Sequence, residues 1–262
     1  MSATTPAARS PVRASLRRVW GLMYRHLALF RRSWPRIVEL MYWPILQMVV
    51  WGFLTVYLAG SAQAGLATGA GFAGAAAGAL LGAVLLWEVA LRGQMGFAIS
   101  FLEEIWSRNL GHVFVSPLRP REFVAALMVM SLLRTLVAVI PAMLLAWTFY
   151  GFGITRLGPL LVVFFALLLV MGWAVALFVT ALILRHGSGA EGLAWGVLFG
   201  ITPFAAVFYP VAVLPGIMQD IALGMPAGRV FEGMRAALLE GRVAWDHLVW
   251  AAVLDVLWIA LG

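Results

Sequence analysis

The chain has 262 residues, 63% of them apolar and only 11% charged, with a mean hydropathy of +0.97. Soluble globular chains run about 45–50% apolar and about 25% charged, so this composition excludes a water-soluble fold and fits a polytopic membrane protein. The formal net charge is +7, all 18 basic residues are arginine, and neither lysine nor cysteine occurs, which removes disulfides, thiolate chemistry, a P-loop lysine and a Schiff-base lysine.

Residues 1–12 are small, polar and proline-bearing, and read as a disordered tail without the apolar core of a signal peptide. Residues 13–33 read as an amphipathic helix. At about 100° per residue, Leu16, Val19, Trp20, Met23, Leu27 and Phe30 fall on one side, and Arg17, Arg18, Arg25 and Arg32 on the other. Such a helix suits the headgroup layer of a bilayer, and a surface helix packed on a neighbour is the plainer alternative.

Membrane spans of about 20 residues are expected at 36–59, 77–101, 123–149, 159–184, 192–209 and 245–262. The glycine- and alanine-rich stretch 60–79 is either a loop or a small-residue extension of the second span. The last span runs to Gly262 with no polar tail after it. Arginine counts orient the chain. Eight arginines from Arg9 to Arg36 lie on the amino-terminal side with Arg108, Arg119, Arg121 and Arg185, against Arg156, Arg229, Arg235 and Arg242 opposite. This bias places both termini in the cytoplasm. In a membrane protein it also accounts for the basic excess without nucleic acid.

Between the second and third spans lies FLEEIWSRNLGHVFVSPL, residues 101–118. Its residues favour a short helix over 103–115, ended by a turn at Ser116-Pro117. A cytoplasmic helix there is either a docking element for a soluble partner or a solvated connection. Residues 210–244 are moderately apolar but broken by Pro210, Pro215, Gly224, Pro226 and Gly228. Two short helices follow, at about 215–223 and 228–240, too short to span and suited to dipping back from the outer side.

These features resemble the permeases of type-2 ABC exporters, the ABC-2 membrane family. An acidic pair, a short helix and Ser116-Pro117-Leu118 precede the third span. The outer segment carries Pro210, Leu214-Pro215, Gln219, Pro226, Glu232, Arg235 and Gly241 in the family's order. The resemblance covers about residues 13–262. It departs where the family often has a bulky and then a polar residue after Pro226, and Ala227-Gly228 stand here. It implies an all-α integral membrane fold of six spans, an interfacial helix, a coupling helix and short re-entrant outer helices. It also implies a multi-pass protein of the bacterial inner membrane, pairing as a dimer with two copies of a separate ATPase. The coupling contacts would be Glu103, Glu104, Trp106, Ser107, Arg108, Asn109, Ser116 and Pro117. ATP and Mg would bind the partner ATPase, with no cofactor on this chain.

Four ionisable residues are expected inside spans, where a charge faces protein or water. Glu88 and Arg92 are spaced i,i+4 and pair on one face, a structural role more than a substrate contact. Arg134 and Asp255 lack local partners and would pair across helices or line a pathway. The tryptophans near span ends, Trp20, Trp34, Trp43, Trp51, Trp147 and Trp245, fit an interfacial belt. His26, His112, His186 and His247 lack ligand spacing, so no metal site is expected. Gly187-Ser188-Gly189 lacks the first glycine of a nucleophile elbow and reads as a turn. No catalytic constellation is present. The resemblance to the ABC-2 membrane family implies export of an amphipathic or lipid-linked substrate (polysaccharide, lipo-oligosaccharide or hydrophobic drug), driven by the partner ATPase. An ATP-independent carrier is the alternative, but it predicts broken helices in both halves, and the breaks here cluster before the last span.

Overall fold

The computed structural model describes residues 11–63, 70–151 and 157–262, so the tail expected over 1–12 lies almost wholly outside the described residues. Among these, ten α-helices and no strand occur. They are α1 (Pro11–Arg32), α2 (Trp34–Gln63), α3 (Ala70–Trp106), α4 (Leu110–Val115), α5 (Pro120–Tyr150), α6 (Leu160–His186), α7 (Leu193–Ile201), α8 (Gly216–Leu223), α9 (Pro226–Arg235) and α10 (Trp245–Leu261). Proline marks several starts. Pro120 and Pro226 open α5 and α9, where the missing N–H has no partner to lose. Gly151 closes α5 at φ 61°, in the left-handed region that glycine enters freely.

Four helices are long and apolar enough to cross a membrane: α2 over Trp34–Leu58, α3 over Gly78–Trp106, and all of α5 and α6. They coincide with the first four expected spans. Because α3 starts at Ala70, the later part of the 60–79 stretch extends this helix, while residues 64–69 lie outside the described ones.

The fifth expected span is not one helix. α7 ends at Ile201, and residues 202–209 form turns. Pro203 is the physical reason, since it offers no N–H to the preceding turn and its ring crowds it. α10 has 17 residues, about 25 Å of helix, against a hydrocarbon core of about 30 Å. The two short helices expected before it are α8 and α9. A π-helical turn, Ala236–Glu240, extends α9 to Gly241.

α3 is the axis of the bundle, buried along most of its apolar length against α2, α5 and α6. Small residues permit the approach. A Cβ built on Gly172 of α6 would lie 2.6 Å from the Ala90 carbonyl oxygen of α3, and one on Gly96 3.2 Å from Ser131 Cα of α5. The Ser131 hydroxyl donates to the Gly93 carbonyl at 2.5 Å and accepts from the Trp173 indole at 3.2 Å, stitching α3, α5 and α6. α9 is equally buried. Its Phe231 lies 6.1 Å from Trp87 of α3, between ring centroids, and the helix packs on α6 and α10. α2 is the opposite case, turning Tyr42, Trp43, Phe53 and Tyr57 outward.

Candidate functional site

At one end of the bundle the arginines of α1 reach carboxylates on α3 and α5. Arg18 grips Glu122 through two hydrogen bonds, at 2.8 and 2.6 Å. One turn pair further on, Arg25 donates to both oxygens of Glu104 at 2.8 and 2.6 Å. Forked guanidinium–carboxylate pairs of this kind fix orientation as well as distance. His26 is fully buried between the acidic pair, with Nδ1 3.4 Å from Glu103 and Nε2 3.2 Å from Glu104, close enough for ion pairing but off the hydrogen-bonding angle. Burial alone would lower its pKa, but the two carboxylates outweigh that and raise it above the ordinary 6.5.

Glu103 gathers two more cations. Arg134 of α5 donates to it at 3.0 and 3.2 Å, and Arg36 of α2 at 2.9 Å. Arg134 also lies 5.7 Å from the centre of the Phe30 ring. Arg134 thus pairs across helices with α3, one of the two roles open to it in the sequence, and it also borders the cavity described below. Four helices, α1, α2, α3 and α5, meet at this acidic pair.

The pair sits in the last turns of α3, which runs unbroken to Trp106, so the helix expected over 103–115 is divided. Arg108 adopts φ 52° and reverses the chain, and a separate six-residue helix, α4, follows. The reversal is held from within: the Asn109 side chain donates to Glu104 at 2.6 Å, and its backbone N–H to the Glu104 carbonyl at 2.9 Å. Glu104 and Asn109 thus position α4 and do not face solvent together with it; Glu104 is completely buried. α4 itself has no buried residue, and its Phe114 and Val115 are 71% and 89% exposed. At its end the Ser116 hydroxyl donates to the Val113 carbonyl at 2.6 Å, ahead of Pro117. Trp106 and Arg108 are exposed, and the Trp106 indole donates to Glu191 after α6 at 3.3 Å.

A cavity of about 530 Å³ opens beside this cluster, between α2, α3 and α7. Its walls include Trp43, Trp106, Trp195 and Phe199, with Arg36, Glu39, Glu88, Arg92, Glu103 and Arg134 among them. The Glu88–Arg92 pair forms as the spacing predicts, at 2.9 Å. It lines the cavity as well as joining two turns. Asp255 is not brought there: it is buried on α10 with no hydrogen-bond partner among the described residues.

The outer motif works as a latch. Glu232 accepts from the Val211 backbone N–H at 2.7 Å and from Arg235 at 2.9 Å, tying α9 to the strap after Pro210. Gln219 donates to the Leu214 carbonyl at 2.8 Å, turning the chain at Pro215. Pro226 starts α9, and the Gly228 that departs from the family's pattern is required: a Cβ there would lie 2.0 Å from the Ala222 carbonyl oxygen.

Sequence reasoning missed the inward half of α1. Arg18, Arg25 and His26 share a face at helical spacing, but an arginine-rich face reads equally as solvated. Leu16, Trp20 and Tyr24 instead form an outward row, each more than half exposed. Glu39, Glu122, Phe114 and Val115 carried no signal beyond ordinary chemistry.

No curated protein matches the chain. The family model for the ABC-2 type transporter matches residues 17–239, from the first turns of α1 through the π-helical turn after α9. That match covers the cluster, α4, the cavity and the outer latch together, and this multi-pass membrane chain belongs to the ABC-2 type transporter family as a permease component.

Proposed function

We propose that the protein is the permease subunit of an ABC exporter, with six membrane crossings and both termini cytoplasmic in a bacterial inner membrane. It moves an amphipathic or lipid-linked substrate outward, driven by ATP and Mg on two copies of a separate ATPase subunit. α7 with its following turns and α10 supply the fifth and sixth crossings. α1 lies in the headgroup layer, its Leu16, Trp20 and Tyr24 row toward lipid, and α8 and α9 return from the outer side. The outward Tyr42, Phe53 and Tyr57 of α2 support pairing with a second permease copy.

The observation that carries this reading is α4. α4 packs on the core only through part-buried Leu110, and its exposed Phe114 and Val115 cost free energy in water unless a partner covers them. It is rigidly joined through Asn109 and Glu104 to α3, the axis of the bundle, so a push on α4 reaches the spans. ATP binding then shifts the permeases between two arrangements through its differential affinity for them. Trp106, Ser107, Arg108, Ser116 and Pro117 border the contact, and Glu103, Glu104 and Asn109 hold its shape.

The test is purification from the native host. A P-loop subunit is expected to accompany the chain, and replacing Phe114 and Val115 together by serine should cut its retention at least tenfold while leaving membrane insertion intact. ATP-independent transport in vesicles with no ATPase subunit present would overturn the reading in favour of a secondary carrier.

A further inference from the structure

The cavity beside the acidic pair has a charge pattern that its composition hides. Three arginines and three glutamates line it, so its formal sum is zero. The cations, however, are all engaged. Arg92 is held by Glu88 at 2.9 Å, Arg134 by Glu103 at 3.0 Å, and Arg36 by the same Glu103 at 2.9 Å. Glu39, on α2, has neither an ion pair nor a hydrogen bond among the described residues. Because Glu103 is shared by two arginines, the lining stays neutral as a whole, but Glu39 is the lining carboxylate whose oxygens are open to a ligand.

The neutral surroundings agree with that sign. Phe30, Trp43, Trp106, Trp195 and Phe199 present aromatic surface from four helices. Trp43 follows Glu39 by one helical turn, so both occupy one side of α2. Aromatic faces attract cations through their quadrupole. A volume near 530 Å³ lies within the range of about 300–1,000 Å³ that holds drug-sized molecules. An anionic ligand that took over Arg92 would leave buried Glu88 without its partner, so an anion is left with the half-exposed Arg36.

We propose that this cavity binds amphipathic organic cations, an ammonium or phosphonium centre carrying apolar groups, with Glu39 as counter-charge and Trp43 and Trp195 as the walls. The assignment rests on the proposed exporter reading, with this cavity as the place that holds its substrate, but binding to it needs no ATPase.

The experiment is equilibrium dialysis of radiolabelled tetraphenylphosphonium against the intact permease in zwitterionic-lipid nanodiscs, with empty nanodiscs subtracted. Saturable binding is expected, weakened tenfold or more by Glu39→Gln and by Trp195→Ala. Octyl glucoside, a neutral amphiphile, should compete equally poorly against wild type and Glu39→Gln. Glu39 is exposed, so its replacement should leave elution in size-exclusion chromatography unchanged. Unaltered tetraphenylphosphonium affinity in Glu39→Gln, or tighter competition by dodecyl phosphate than by a cationic amphiphile, would overturn the assignment. Absent binding here, while a P-loop subunit accompanies the chain from its native host, sinks only the cation site; binding here, while no such subunit accompanies it and transport proceeds without ATP, sinks only the exporter reading.

Discussion

His26 has no solvent exposure, yet both ring nitrogens face carboxylates and Arg25, Arg36 and Arg134 stand around the same pair. Its raised pKa makes the protonated ring part of what seats α1 on α3. A group whose folded pKa exceeds its unfolded value contributes stability fully below the unfolded value, near 6.5, and loses it as pH rises through the folded one. Amide exchange in α1 should accordingly be slower at pH 6 than at pH 9 once corrected for intrinsic rates, and His26→Gln should flatten that difference. Equal dependence in the variant would remove the histidine from the joint. None of this was legible in the sequence. The Glu103–Glu104 pair stood out, but its partner Arg25 lies 79 residues away, and only tertiary packing decides whether a carboxylate at a helix end faces water or a neighbouring arginine.

At the scale of elements the sequence was a better guide, because hydropathy and proline act locally. The four long apolar helices and the outer pair α8 and α9 stand where run lengths and breakers put them. Breakers that cost helix inside an apolar run were harder to weigh. Pro44 and Pro141 are absorbed within α2 and α5, while α7 ends two residues before Pro203, so a proline's place in the sequence alone does not tell a kink from a stop. Glycines divide in the same way. Gly172 meets the Ala90 carbonyl of α3, whereas nothing stands within 4 Å of a Cβ on Gly196 of α7. Gly172→Ala should wedge α6 from α3 and cost about 1–3 kcal/mol, read as a lowered thermal midpoint in detergent. Gly196→Ala should leave the midpoint unchanged or raise it, since alanine favours helix over glycine. Equal midpoints for both variants would show that the α3–α6 seam yields freely.

The whole molecule has a charged end and a quiet one. Arg25–Glu104 and Trp106–Glu191 draw α1, the end of α3 and the loop after α6 together, and Arg108, Arg119, Arg121 and Arg185 belong to that end by chain order. Arg229, Arg235 and Arg242 lie in the segment from α9 to α10, where Arg235 is committed to Glu232 and Arg242 to Glu240. An arginine excess of this kind is what the proposed cytoplasmic placement of that end requires. The absence of cysteine makes this directly measurable, since any single introduced thiol is unique. His112 on α4 and Asp220 on α8 are both exposed. In sealed right-side-out vesicles, a membrane-impermeant maleimide should label Asp220→Cys at once and His112→Cys only after the membrane is opened. The reverse pattern would invert the protein, and labelling of both from outside would mean that an odd number of crossings no longer separates α4 from α8. The same pair of thiols, crowded by added ATPase, should lose reactivity at residue 112 alone, because only α4 is placed to be covered.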